Sequence, residues 1–125
     1  MQLYTTDTHI DGAQAVRFVG LLDDHIISYA TLGLTHYPNT PQQALLADVH
    51  VHPAYRGRGW GKLLLQRVLQ TAWEREKKVV ALHVRYNNWV ARALYQRLGF
   101  HRYDAVTPDG LLSYYYQHPA PTPGR

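Results

Sequence analysis

Residues 49–62, Val-His-Val-His-Pro-Ala-Tyr-Arg-Gly-Arg-Gly-Trp-Gly-Lys, constrain this chain more than any other segment. An apolar run ends at Pro53, a basic turn with three glycines follows, and the turn leads straight into an amphipathic segment. Glycine at 57, 59 and 61 removes side chains where backbone N–H groups approach a ligand. A helix that starts there aims its unpaired N–H groups and the positive end of its dipole at the same spot. Arg56, Arg58 and Lys62 add mobile positive charge. Strand, glycine turn and helix in this order form a phosphate cradle. The turn alone is shared by several nucleotide-binding folds.

The chain has 125 residues, room for one domain with one core. It contains no cysteine, which excludes disulfide staples, thiolate zinc sites and a cysteine nucleophile, and which fits a cytoplasmic protein. No run of about 18 apolar residues marks a membrane span. The opening Met-Gln-Leu-Tyr-Thr-Thr-Asp lacks the basic-then-apolar pattern of a secretory signal. A net charge of +4 suits a small polyphosphate as well as nucleic acid. A nucleic-acid module wants aromatics on one open sheet face. Tyr114, Tyr115 and Tyr116 are consecutive and would alternate between faces, so nucleic acid is not expected. His50 and His52 stand two apart on one strand face, but two ligands do not make a metal site, and none is expected.

Periodicity and punctuation predict a first strand over residues 3–6 and a strand pair over 14–22 and 25–34, joined at Asp23-Asp24. Residues 37–41 form a loop and residues 44–52 a strand. In that strand Leu45, Ala47, Val49 and Val51 alternate with Leu46, Asp48, His50 and His52. A helix over 59–77 carries Leu63, Leu64, Val68, Ala72 and Trp73 at helical spacing. An apolar strand over 79–84 completes a right-handed βαβ unit. Asn88 caps a second helix whose buried face is Ala91, Leu94, Tyr95 and Leu98, and Gly99 stands just past its end. Residues 101–106 and 111–117 form a hairpin about Pro108-Asp109-Gly110. The domain is expected over 1–118, with a frayed, Pro-rich tail from His118 and disorder over 119–125. Trp60, Trp73 and Trp89 read as core or interface anchors. Arg92 and Arg97 read as a solvated face.

Two motifs together carry a resemblance. Arg56-Gly-Arg-Gly-Trp-Gly61 fits the pattern Arg/Gln-x-x-Gly-x-Gly/Ala. Asn88-x-x-Ala91-x-x-Leu94-Tyr95-x-x-x-Gly99-Phe100 fits the helix expected one strand later. In these features the chain resembles the GNAT superfamily of acyl-CoA-dependent N-acetyltransferases, most specifically over residues 46–100. The resemblance implies a single α/β domain with a mixed, mostly antiparallel central sheet and a splayed parallel strand pair. It implies that acetyl-CoA lies in the cleft between the splayed strands, with its pyrophosphate on the amides from Gly57 through Arg58, Gly59, Trp60 and Gly61 to Lys62. The pantetheine arm would pair with the backbone of Val49, His50 and Val51. Asn88 would bond the pantetheine, and Tyr95 would act at the thioester sulfur as general acid. Contact of Arg92 or Arg97 with the 3′-phosphate would be the lesser reading beside a solvated face.

By the same resemblance an amine attacks the thioester directly, and a backbone N–H of the first splayed strand stabilises the oxyanion. A lysine-like amine, with pKa about 10.4, is neutral in only about one molecule in two thousand at pH 7, which adds roughly 4–5 kcal/mol to the barrier. A general base is the remedy, and Asp48, His50 and His83 are the candidates. The family often places a glutamate on the first splayed strand, and residues 44–52 contain none. The family also usually inserts two helices between its first two strands as a wall for the acceptor. Residues 7–13 are too few for them, so the fold is shortened there. An open acceptor site would suit a peptide or protein amine, and one completed by a second copy in a homodimer would suit a small amine. The alternative to an enzyme is a non-catalytic acetyl-CoA-binding regulatory module that binds a partner protein.

Overall fold

Turn chemistry sets the first half of the fold. The computed structural model describes residues 1–119. Strands β1 (Gln2–Ile10) and β2 (Ala13–Leu22) are joined by Asp11 and Gly12, with φ of 52° and 83°. Two left-handed residues match the twist of the flanking strands, and pairing runs without interruption from Gln2↔Leu21 to Ile10↔Ala13. The first strand is therefore longer than the residues 3–6 expected, and the segment thought to connect it is itself strand and hairpin. Asp23 and Asp24, at φ 50° and 64°, make the same kind of turn into β3 (His25–Gly33).

The second half holds β4 (Gln43–Val51), a single 3-10 turn at Pro53–Tyr55, α1 (Trp60–Glu74), β5 (Val79–Arg85), α2 (Trp89–Leu98), β6 (His101–Val106) and β7 (Leu111–Gln117). The seven strands form one sheet in the order β1-β2-β3-β4-β5-β7-β6. Only β4 and β5 are parallel; the other neighbours are antiparallel.

Both helices contribute to one core. Leu64, Leu65, Val68, Leu69 and Ala72 of α1 and Tyr95 of α2 pack in a cluster with Phe18, Leu32, Leu46, Val80, Leu82 and Tyr114 of the sheet. Leu63, expected inside, is 47% exposed. Three consecutive leucines leave the helical phase ambiguous, and the stripe that packs is 64/65/68/69/72. The helix also stops before residue 77. Glu76 turns to φ 64°, and the Lys77 amide reaches back to the Ala72 carbonyl at 3.0 Å.

A bulge in β4 creates the functional geometry. Asp48 sits at φ 55°, and pairing with β3 jumps from Ala47↔Thr31 to His50↔Tyr29. The extra residue breaks the expected alternation, so that Leu46 and Val49 both meet the core. Parallel pairing with β5 stops at Leu46↔Leu82, although β4 continues to Val51 and β5 to Arg85. Beyond that point the edge of β4 that faces β5 is unpaired.

His118 is held rather than frayed: its amide donates to Lys78 O at 2.8 Å, and its ring meets Trp73 edge-on at 4.8 Å. Most of the tail expected to be disordered, residues 120–125, lies outside the described residues. Among those described, no helix is long and apolar enough to cross a membrane.

Candidate functional site

The basic turn is built by its own short-range bonds. His52 Nδ1 accepts from the Ala54 amide at 3.1 Å and so starts the 3-10 turn, a local role in place of ligand binding. Arg56 Nε donates to Val51 O at 2.9 Å and ties the turn back to β4. Gly57 and Gly59 take φ of 77° and 84°, and a Cβ at either would meet nothing within 4 Å. The space over the turn is open, and only glycine adopts that backbone without strain. Gly59 caps α1 without a side-chain acceptor, and the first turn holds no acid. The amides of Trp60, Gly61 and Lys62 thus keep their capacity for an anion. A Cβ on Gly61 would come within 3.1 Å of Leu94 Cδ2 and 3.4 Å of Val51 Cγ2, so this glycine lets α1, α2 and β4 close together.

The splay opens into a cleft of about 440 Å³ between β4, α1 and α2. Of the residues assigned to the cofactor from sequence, Val49, His50, Val51, Arg56, Gly57, Gly59, Trp60, Gly61, Lys62, Asn88 and Tyr95 line it. Arg58 does not, and its guanidinium lies 6.0 Å from the Tyr55 ring centroid. Ala91, Leu94, Arg97 and Leu98 complete the α2 wall, and no carboxylate is among the lining residues. Free amides, open space over two glycines and a cationic, acid-free lining fit a phosphate-bearing ligand. The Trp60 indole Nε1 is buried without a hydrogen-bond partner among the described residues.

Asn88 accepts from the Ala91 amide through Oδ1 at 3.2 Å, which caps α2 and leaves its NH2 group as a donor. Tyr95 is 6% exposed, packed against Phe100 and Tyr114 with ring centroids 5.7 and 6.3 Å away. Burial pushes its phenol up to about 12.

The three candidate bases stand differently. Asp48 is exposed at the bulge and does not line the cleft. His50 lines the cleft and stacks on Tyr29 at 5.0 Å. His83 is the first residue of β5 beyond its pairing with β4. Val80, Leu82 and Val84 face the helices, so His83 faces the other side of the sheet. There its Nδ1 lies 2.9 Å from Ser113 Oγ of β7. Asp109, in the β6–β7 turn, has its carboxyl lowered, first by the Thr107 hydroxyl, next by its own backbone amide, and to a lesser degree by the charges of Arg85 and His83. Ser113, in contact with His83, and Arg97, in the cleft lining, are the residues that sequence reasoning undervalued. Strand pairing of 79–84 with 111–117 would have paired Ser113 with His83, whereas nothing local marks Arg97.

Trp89 is 66% exposed instead of anchoring a core, and Arg92 lies over its ring at 4.4 Å. Arg92 also donates to Tyr114 Oη at 3.1 Å and to Tyr86 O at 2.6 Å. It is a structural clamp between α2, the β5–α2 loop and β7. Among the described residues no group of three His, Asp or Glu is placed to hold a metal ion.

Comparison with known proteins agrees with this geometry. The sequence profile of the acetyltransferase (GNAT) family matches residues 2–100. The chain is 35% identical over 83 residues to the [ribosomal protein bS18]-alanine N-acetyltransferase of Haemophilus influenzae, covering 66% of this chain and 51% of that one. It is 37% identical over 93 residues to the N-alpha-acetyltransferase RimI of Mycobacterium tuberculosis, covering 74% and 52%. The fold is similar to that of the PaiA N-acetyltransferase of Thermoplasma acidophilum in complex with coenzyme A. There the TM-score is 0.73 at 19% identity, over 83% of this chain and 61% of that one. The chain spans about half or less of the length of the curated relatives it matches.

Proposed function

The chain belongs to the GNAT acetyltransferase family, and from that premise we propose that it moves an acetyl group from acetyl-CoA to the free α-amine of a polypeptide in the cytoplasm. The observation that carries the proposal is the cleft that joins the uncapped start of α1 to the unpaired edge of β4 and to Tyr95. When bound there, a coenzyme A thioester supplies the activated acetyl group. The amides of Trp60, Gly61 and Lys62, with the Lys62 ammonium, hold the pyrophosphate. Val49, His50 and Val51 offer strand-like bonds to the pantetheine, and Asn88 adds a donor. A β4 amide receives the developing oxyanion.

Burial changes the role of Tyr95. Moving a proton from a phenol at about 12 to a thiolate of ordinary pKa, about 8.5, is uphill by roughly 5 kcal/mol. Tyr95 therefore serves as a fixed hydrogen-bond donor to the departing sulfur and keeps its proton. Of the three candidate bases we infer His83, although His50 lines the cleft and neither His83 nor Asp48 does. His83 lies at the foot of the splay, with Ser113 Oγ 2.9 Å from its Nδ1. In the tautomer whose Nδ1–H donates to Ser113 Oγ, Nε2 is free to take the amine proton.

The polypeptide α-amine follows from two supports. An α-amine has a pKa of about 7.7–8.0, so roughly one in ten is neutral at pH 7, and an imidazole suffices where lysine would need far more help. The hairpin at Asp11-Gly12 stands in place of wall helices, and Tyr29 on the sheet face beside His83 is 44% exposed. Small ligands bind in concave sites that enclose them, whereas this face suits a larger partner. Three relatives are themselves named as N-alpha- or ribosomal-protein-alanine acetyltransferases, one of them provisionally. The test is thiol release from acetyl-CoA with unblocked peptides, Nα-blocked lysine peptides and small amines. Turnover with unblocked peptides is expected. Turnover only with small amines would overturn the acceptor class, and binding without turnover would make the protein a regulatory module.

A further inference from the structure

We propose that Arg97 reads the 3′-phosphate of coenzyme A, so that the protein distinguishes coenzyme A from its dephospho form. The inference rests on the cleft being the coenzyme A site. That ligand carries two separated anionic groups, a pyrophosphate and a ribose phosphate monoester of about −1.5 to −2 charge. One helix start serves one of them, and a second phosphate needs its own cation.

The described cations around the cleft are committed unequally. Lys62 stands in the first turn of α1, beside the amides assigned to the pyrophosphate. Arg56 also lines the cleft, but it sits in the glycine turn beside the pyrophosphate amides, with its Nε tied to Val51 O. Arg58 is outside the lining. Arg92 is occupied by Tyr114, Tyr86 and Trp89. Arg97 alone of the α2 arginines lines the cleft. Its one bond is Nε to Ala93 O at 3.3 Å, one turn back on its own helix. That bond lays the guanidinium along α2 and leaves both terminal NH2 groups to form the paired donors a phosphate prefers. Leu94 and Leu98, three residues before and one after, line the same wall and give the nucleoside an apolar surface beside the charge. With no carboxylate in the lining, no ion pair competes for Arg97.

A purely structural role is available too, since Arg97 lies in the last turn of α2 and complements its dipole. That role predicts no dependence on the ligand's 3′-phosphate. The test is calorimetric titration of coenzyme A and 3′-dephospho-coenzyme A into the intact protein and its Arg97→Gln and Arg97→Lys variants. The unaltered protein is expected to prefer coenzyme A by about tenfold, as one charge-assisted contact supplies. Arg97→Gln should weaken coenzyme A alone and bring the ratio close to one, and Arg97→Lys should keep part of the preference. Equal affinity of the unaltered protein for both ligands, or equal weakening of both by Arg97→Gln, would overturn the inference. Binding of neither ligand would instead overturn the coenzyme A site itself.

Discussion

His83 Nδ1 lies 2.9 Å from Ser113 Oγ, across the antiparallel pair β5–β7 and just beyond the point where β4 leaves β5. The bond orients an imidazole at the foot of the splay, on the face opposite the helices. His83→Gln should lower kcat by about 10²–10⁴ while leaving acetyl-CoA affinity unchanged. Ser113→Ala should give a smaller loss of kcat. An undiminished kcat in His83→Gln would return the role to His50 or Asp48.

The cradle yields a separable pair of effects. Gly59→Asp places a carboxylate in open space over the amides of α1 and should abolish acetyl-CoA binding. Gly59→Ala leaves that space nearly clear, and its cost is the left-handed backbone at φ 84°, about 1–2 kcal/mol of stability. Gly61→Ala acts by a third route, since its Cβ would press on Leu94 Cδ2 at 3.1 Å and push α1 away from α2. Titration and thermal unfolding of the three variants tell the routes apart.

Tyr95→Phe should cut kcat with little change in acetyl-CoA affinity. It should also alter alkaline stability. The folded-state pKa is raised to about 12 from 10.0 by burial, so the folded chain holds this proton more tightly than the unfolded one. Its stability contribution is complete below pH 10 and is lost as pH rises towards 12, a loss on the order of 2–3 kcal/mol. Denaturant titrations across that window should show the Phe variant losing less stability than the unaltered protein.

Arg92→Ala should destabilise the fold by about 2–4 kcal/mol, because it strips Tyr114 Oη and Tyr86 O of a charged donor and uncovers Trp89. Arg97→Ala should cost under about 1 kcal/mol, as expected for a last-turn charge. Chemical denaturation of the two variants checks the contrast.

Much of this molecule is legible before any coordinates, and the misses have physical causes. The cradle is readable because only glycine serves at φ 77° and 84°, so the backbone requirement is written as residue type at 57 and 59. Asn88 and Gly99 are readable as helix ends for similar reasons. The bulge at Asp48 is not, since an aspartate with positive φ leaves no mark distinct from a surface aspartate. With the bulge unseen, the strand's two faces are assigned wrongly beyond it. The Asp11-Gly12 hairpin was present as a two-residue turn signal, but the Thr-Asp-Thr-His run before it lacks the apolar alternation that marks a strand. Arg92 and Arg97 look alike in sequence. Contacts with β7 and the β5–α2 loop separate a clamp from a cleft residue.

Calorimetric titration of acetyl-CoA into the purified protein, with Gly59→Asp as the control, tests the central claim most directly. Saturable binding in the micromolar range that the Gly59→Asp variant loses is the predicted result. The absence of binding, or binding that the variant retains undiminished, would contradict the assignment of the cleft and the chemistry built upon it.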